Sequence, residues 1–478
     1  MPQAENYDVL VIGSGEAGKY IAWTMAKAGH RAAVVERKYV GGSCPNIACL
    51  PSKNIIHSAK VASLAGRASE FGVDTGPARI DMKAVQRRKR KMVEDLISVH
   101  RNRYEESGAE LVMGEARFVS PRTLSVSLNG GGARMLTAER VILNVGTRAA
   151  VPAVPGLADS NPMTHIEALD LERLPEHLVV LGGGYVGLEL AQAFRRLGSR
   201  VTVIEMGPQL AGREDPDVSG AILELFEDER VEVLLDTAMT RIEGRSGEKV
   251  RVSVEGPNGE SVIEATDVLV AAGRNPNTDD MGLEHAGVEL DERGFIKVND
   301  RLETTAPGVW AVGDCAGNQQ FTHVAFDDFR IVRDNLLHGG DRSTRDRVVP
   351  YVMFTDPELA RVGLNETEAR TRGVDYRLAR LPMKAVLRTR TISEPRGFIK
   401  MLIDIESDRI LGLTVFGAEA SELMAVVQTA MLGGLPYTML RDGIFTHPTT
   451  AEGLTILLAD VPARIASAAR SVYESSNA

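Results

Sequence analysis

From Val9 to Glu36, and again from Leu178 to Glu205, the chain passes through one order of apolar and polar positions. The stretches VLVIGSGEAGKYIAWTMAKAGHRAAVVE and LVVLGGGYVGLELAQAFRRLGSRVTVIE align without a gap. Each opens on an apolar run of strand length, crosses a glycine cluster, takes up helical spacing and closes on a second apolar run ending in glutamate. The pattern predicts strand, tight turn, helix and strand, twice. Both glycine clusters are G-x-G-x-x-G, and both have an acidic residue about twenty positions further on, which completes a dinucleotide-binding fingerprint. Gly13 and Gly182 allow the turn, Gly15 and Gly184 let backbone approach a pyrophosphate, and Gly18 and Gly187 let helix pack on strand. The phosphates are expected at a helix N-terminus, where N–H groups and the helix dipole favour negative charge. Glu36 and Glu205 are expected to accept hydrogen bonds from ribose hydroxyls.

Proline and glycine clusters divide the rest. VPAVPGL (Val151 to Leu157) reads as a linker into the second unit, and AAGRNPNT (Ala271 to Thr278), with Gly273, as the exit. TTAPGVWAVGDCAG then gives an apolar strand ending at Gly313-Asp314, with a helical stretch to about Arg345. Beyond it, alternating patterns such as GFIKMLIDI and helical ones such as ASELMAVVQTAMLGG predict an α+β region. A length of 478 residues fits about three domains.

Charge narrows the partners. A formal net charge of -10 argues against nucleic acid or an anionic membrane. The basic run RRKRK, Arg87 to Lys91, is expected to be a solvated helix face. No apolar run is long enough to span a bilayer, and MPQAENYDVLVIG lacks the order of a signal peptide, so the expected location is the cytoplasm.

Two of the three cysteines stand five positions apart in GGSCPNIACLPSK, Gly41 to Lys53. A reducing compartment does not keep ordinary structural disulfides. A closed zinc site needs four ligands, and neither the distant Cys315 nor a suitably spaced histidine supplies them. Redox use is the leading reading, with zinc and a pair of unrelated buried thiols as alternatives; no metal site is expected.

Taken with the two dinucleotide units, the G-D strand end and the closing HPTTAE, this motif resembles the class I pyridine nucleotide-disulfide oxidoreductases. That family includes dihydrolipoamide dehydrogenase, glutathione reductase and mercuric reductase, and FTHVAFDDFRIV and LRTRTISEPRGFIKMLIDIESDRILG resemble the mercuric-reductase-like branch. The resemblance implies an α/β fold with two Rossmann-like domains and a C-terminal α+β dimerisation domain. It places an FAD domain at 1–150 and 275–345, an NAD(P) domain at 151–274 and the dimerisation domain at 346–478. It puts Gly42, Ser43 and Asp314 on FAD, Ala116 of GEARF near the adenine, and Ala325 in a helix start facing the flavin's pyrimidine edge.

The same resemblance implies a redox-active Cys44–Cys49 disulfide. Residues five apart in an ideal helix are separated by about 7.5 Å along the axis, beyond the usual disulfide reach of about 7 Å between Cα atoms. A bridge there demands a distorted helix start, which Pro45 and Pro51 suit. Cys49 is implied as the charge-transfer thiolate against the flavin, and Cys44 as the interchange thiol facing substrate. Lys53, paired with Glu189, is implied near flavin N5. His447, oriented by Glu452, is the implied base and acts across a homodimer on the partner's cysteines. Tyr185 resembles a gate residue that swings aside for nicotinamide.

Glu205 repels a 2′-phosphate, and Met206 and Gly207 offer no cation, so NAD(H) is favoured over NADP(H), with Arg213 the one nearby cation that could reach a phosphate. The tail RSVYESSNA lacks the vicinal cysteines of mercuric reductase, and Phe445 and Thr446 stand where lipoamide enzymes carry a second histidine. Pro45 and Ala48 also depart from the family motif. The acceptor is a small disulfide, a quinone or a metal ion; a dihydrolipoamide dehydrogenase of a 2-oxoacid complex and a flavin-binding redox sensor are the alternatives. Cys315 is expected to be a small buried thiol.

Overall fold

A computed structural model describes residues 4–464 of the chain. The N-terminal sheet is built on a parallel core in which Glu5–Ile12 lies between Ala32–Glu36 and the end of Ala133–Leu143. Glu110–Ser120 joins one side in parallel and Val309–Ala311 the other. The far ends of the two long strands leave this core and pair antiparallel with Thr123–Leu128. The strand residues Val9, Leu10, Val11, Val34 and Ile142 are fully buried, as a continuous apolar run predicts for parallel strands covered on both faces.

The second unit repeats this plan. His177–Leu181 lies between Asp267–Val270 and Arg200–Ile204, all parallel, with Glu232–Leu234 at the edge. A three-stranded antiparallel sheet, Ala238–Arg245, Lys249–Gly256 and Gly259–Ala265, stands where the first unit has its antiparallel extension. Thr147–Ala149 pairs with Arg274–Pro276 where the chain enters and leaves.

The last part is a five-stranded antiparallel sheet in the order Tyr351–Met353, Glu358–Gly363, Ile410–Gly417, Phe398–Asp404, Tyr376–Pro382. One apolar cluster joins Ile55 and Ala59 of the Cys49–Gly66 helix, Leu188 and Phe194 of the Tyr185–Leu197 helix, and Met353, Phe398 and Phe416 of this sheet. The cysteine-bearing helix is therefore clamped between the second unit and the C-terminal sheet, and each large side chain in that cluster contributes about 1.5–3 kcal/mol.

Three expectations need correction. The helix after the Asp314 turn covers Thr322–His338 and stops well before Arg345, because Gly339 takes a left-handed conformation at its end. RRKRK is not a wholly solvated face: Lys89 is buried and pairs with Asp170, while Arg88 bonds Asn54 and Arg90 pairs with Glu172. Phe398–Asp404 alternates in sequence but is buried on both faces. Its Lys400 is 1% exposed, and Nζ lies 2.9, 2.8 and 2.9 Å from Asp215, Asp217 and Glu366. Three carboxylates, two from the second unit, offset the desolvation of that ammonium. Among the described residues no helix is long and apolar enough to cross a membrane.

Candidate functional site

The cysteine motif folds as two helical pieces. Ser43–Asn46 makes a single turn, the backbone breaks at Ile47 and Ala48, and a new helix begins at Cys49. The break turns Cys44 and Cys49 toward each other. Both are free thiols, joined by a hydrogen bond.

Their environments differ in sign. The hydrogen bond from Cys44 lowers the Cys49 pKa to about 6 against the opposition of burial, helped by Thr322, whose Oγ1 lies 3.3 Å from Cys49 Sγ, and by the charge of Lys53. The first position of a helix with no side-chain cap adds the field of unsatisfied N–H groups. Cys44 is pushed the other way, first by its bond to Cys49 and then by burial. On deprotonation of the pair, Cys49 holds the negative charge.

Lys53 follows Cys49 by one helical turn and so shares its face. Its Nζ lies 2.6 Å from Glu189 Oε2 and 4.7 Å from the Phe354 ring centre. Glu189, almost buried, accepts the Phe354 N–H at 2.8 Å through its other oxygen. This ion pair joins the helix after the cysteine motif to the helix of the second nucleotide unit.

The two glycine turns share one detail. Glu36 Oε2 accepts from Ser14 N at 2.9 Å, and Glu205 Oε2 accepts from Gly183 N at 2.7 Å, so each strand-end carboxylate holds the middle of its own fingerprint. Among the described residues Glu36 also takes Ser14 Oγ, Lys38 N and Tyr39 N, four donors in all, whereas Glu205 takes only Gly207 N besides. A Cβ on Gly15 would lie 2.6 Å from the Asn144 amide nitrogen, and one on Gly42 2.5 Å from Gly15 Cα. At Gly18 and Gly187 it would collide with the carbonyls of Gly13 and Gly182. At Gly184 it would meet open space.

The helices Glu16–Lys27, Tyr185–Leu197 and Thr322–His338 start without a side-chain cap among the described residues, whereas Met82–Ser107 is capped by Asp81 and Glu366–Thr371 by Asn365. Uncapped N–H groups beside glycine turns fit the phosphates of a dinucleotide, and those of the Thr322 helix fit a group that gains electrons. Asp314 follows the Val309–Ala311 strand and accepts from Thr147 Oγ1 at 2.8 Å, with Arg274 at 3.8 Å. Ala116 and Ala325 are buried, so any contact they make with a ligand falls largely to their main chain. Ser43 and Gly273 are exposed.

His447 Nδ1 lies 3.0 and 2.9 Å from the two oxygens of Glu452. The imidazole is 60% exposed, and Leu432, Leu435, Met439 and Ile444 are exposed in the stretch before it.

Residues 7–328 match the pyridine nucleotide-disulphide oxidoreductase family, and 349–457 match its dimerisation domain. The chain belongs to this family. As a pyridine nucleotide-disulphide oxidoreductase it is an FAD-dependent enzyme, and the dimerisation domain supports a homodimer. It is 37% identical over 456 residues to the probable pyridine nucleotide-disulfide oxidoreductase RclA of Escherichia coli, covering 94% of this chain and 98% of that one. It is 34% identical to a mercuric reductase of Streptomyces lividans, covering 94% and 95%. The solved Cu(II) complex of the HOCl-induced flavoprotein disulfide reductase RclA from Escherichia coli superposes with a TM-score of 0.86 at 35% identity, over 96% of this chain and all 100% of that one. These likenesses place the oxidoreductase in the mercuric-reductase-like branch.

Sequence reasoning missed several neighbours of the site. Thr322 was hidden because nothing in FTHVAF marks which side chain of the helix start meets Cys49. Asn144, buried in the apolar run VILNVG, is a polar interruption that could have been found. Glu214 and Tyr351 carry no local signal. Cys315 is fully buried, which raises its pKa to about 12. The tail RSVYESSNA lies outside the described residues.

Proposed function

We propose that the enzyme reduces a small disulfide or a metal ion with NADH, using Cys44 and Cys49 as its redox pair. The observation that carries this reading is the opposed pair of thiols, with Cys49 lowered to about 6 beside Lys53 and Thr322. For a disulfide acceptor the balance is NADH + H⁺ + RSSR → NAD⁺ + 2 RSH. FAD, when bound, supplies the two-electron relay between nicotinamide and the cysteine pair.

In the chain's own chemistry, the Cys44 thiolate attacks one sulfur of RSSR and expels RS⁻, which is protonated. Cys49 thiolate then attacks the Cys44 sulfur of the mixed disulfide, releases the second RSH and closes the Cys44–Cys49 bond. Cys44 holds its proton firmly, so it needs a base, and the His447–Glu452 pair of the partner subunit is that base. The exposed dyad and the exposed apolar side chains before it support a shared site, since a lone subunit would leave both uncovered. Gly13, Gly15, Gly18, Gly42, Ser43, Glu36 and Asp314 hold FAD, with the main chain of Ala116 and Ala325. Gly182, Gly184, Gly187, Gly273 and Glu205 form the coenzyme side, and Tyr185 covers the entrance. Glu205, with unfilled acceptor capacity, selects NADH. The cytoplasm is the proposed location.

The Cu(II) complex of the RclA relative supports the metal-ion branch of this reading. The test is anaerobic titration of the yellow protein with NADH, followed by disulfides, Hg(II) and Cu(II). A long-wavelength absorbance band that appears on reduction and is lost in Cys49→Ser is the expected result, and the acceptor that reoxidises the protein names the substrate. A band that persists in Cys49→Ser would overturn the cysteine assignment.

A further inference from the structure

Tyr185 is the first residue of the helix that follows the open turn at Gly184. Its phenol does not hang free. It donates to Glu214 Oε1 at 2.5 Å, and Tyr351 donates to the same oxygen at 2.9 Å. The Glu214 side chain is completely buried, and its other oxygen lies 3.9 Å from Arg361 Nη1. Tyr351 is held by two further ring contacts: Phe321 stacks on it at 5.7 Å and 5°, and the Arg361 guanidinium sits 4.9 Å from its centre. Tyr185 meets Tyr351 more loosely, at 5.7 Å and a tilt of 39°.

One buried carboxylate thus has two partly buried phenol donors, one stacked on Phe321 beside Arg361 and one at the first position of a helix. A buried charge stripped of its last partner is strongly destabilising. Here Tyr185 can leave without that consequence, because Tyr351 and Arg361 remain. The arrangement has two satisfied states. Burial, with Glu214 close by, keeps both phenols protonated and able to donate.

We propose that Glu214 is the latch of the Tyr185 gate, and that Tyr351, by staying on the carboxylate when Tyr185 departs, is what lets the latch release. The proposal rests on the reading of Tyr185 as cover of the coenzyme entrance and adds what holds the cover and what frees it. Glu214 and Tyr351 are positioning residues, acting on coenzyme through Tyr185. Because coenzyme competes with a closed gate, its apparent affinity scales with the fraction of open protein.

Two substitutions at one network then have opposite signs. Glu214→Gln exchanges a charge-assisted hydrogen bond for a neutral one, which weakens the latch. Tyr351→Phe leaves Tyr185 as the sole phenol donor, so opening exposes a poorly partnered buried carboxylate and the gate stays shut.

The test is calorimetric binding of NAD⁺ to the oxidised holoenzyme, with no acceptor present, beside stopped-flow reduction of the bound flavin by NADH. Glu214→Gln is expected to tighten NAD⁺ about tenfold and to lower the NADH concentration for half-maximal reduction equally; Tyr351→Phe is expected to weaken both about tenfold. In the Tyr185→Phe background both effects should vanish. Effects of the same sign, as general loosening of the fold would give, or effects that persist in Tyr185→Phe, would overturn the latch. A Tyr185→Phe protein that binds and reacts like the parent would overturn the gate as well. Failure of NADH to reduce the parent's flavin at all would instead overturn the proposed function.

Discussion

The first nucleotide turn is crowded at its second fingerprint glycine, and the second turn is open there. Around Gly15 the Asn144 side chain and the Gly42 backbone crowd in, and the Glu36 carboxylate has four donors. Around Gly184 there is space, and Glu205 has two donors. Two copies of one motif have therefore diverged in how much of their surroundings is already committed. A crowded, overlaid turn suits a cofactor that stays; an exposed one suits a coenzyme that enters and leaves with every turnover. Fingerprint glycines alone do not distinguish these roles, whereas the residues packed on them do.

Breaking the crowded turn should have the largest effect. In Gly42→Ala the new Cβ stands 2.5 Å from Gly15 Cα on a backbone with φ of +83°. We expect about 1–3 kcal/mol of destabilisation from backbone strain, and more from the collision, with loss of flavin during purification. Flavin absorbance per chain and the melting temperature check it. The matching change in the open turn, Gly184→Ala, has φ of -82° and space for its methyl group, so melting should be unchanged and only the NADH KM should rise, by a few-fold.

Glu205→Ala sharpens the comparison next. Removing the carboxylate should raise the ratio of NADPH to NADH efficiency about tenfold, measured as kcat/KM for each. Smaller still is the effect on the tie between the two units. Cys49 has its pKa lowered, so its thiolate is present above about 6 and is lost as pH falls through that value. The long-wavelength band of the reduced enzyme should follow the same midpoint. Lys53→Met should move the midpoint up by about one pH unit.

The order of elements was legible because it is carried by local patterns. The duplicated stretch from Val9 and from Leu178 states its strand, turn and helix outright, and burial of the parallel strands follows. The helical break inside the cysteine motif was also legible, since five residues of regular helix cannot bring two thiols together. Contacts between distant segments were not. Lys400 looks like the outward residue of an alternating strand until three carboxylates from two other segments meet it. Lys89 looks solvated until Asp170 arrives from across the interface. Thr322, Glu214 and Tyr351 matter through partners hundreds or dozens of positions away, and no periodicity encodes that.

The buried Lys400 cluster makes the seam between the second unit and the C-terminal sheet sensitive to acid. Burial works against them, but Lys400 holds the carboxyls of Asp215 and Glu366 below their ordinary values of 3.8 and 4.5. Groups so depressed stabilise the fold above those values and cease to do so as protons bind below them. Acidification would therefore strip an enclosed ammonium of its counter-charges beside the loop that carries Glu214. A weld at neutral pH becomes, once the pH falls through those depressed values, a joint under electrostatic stress.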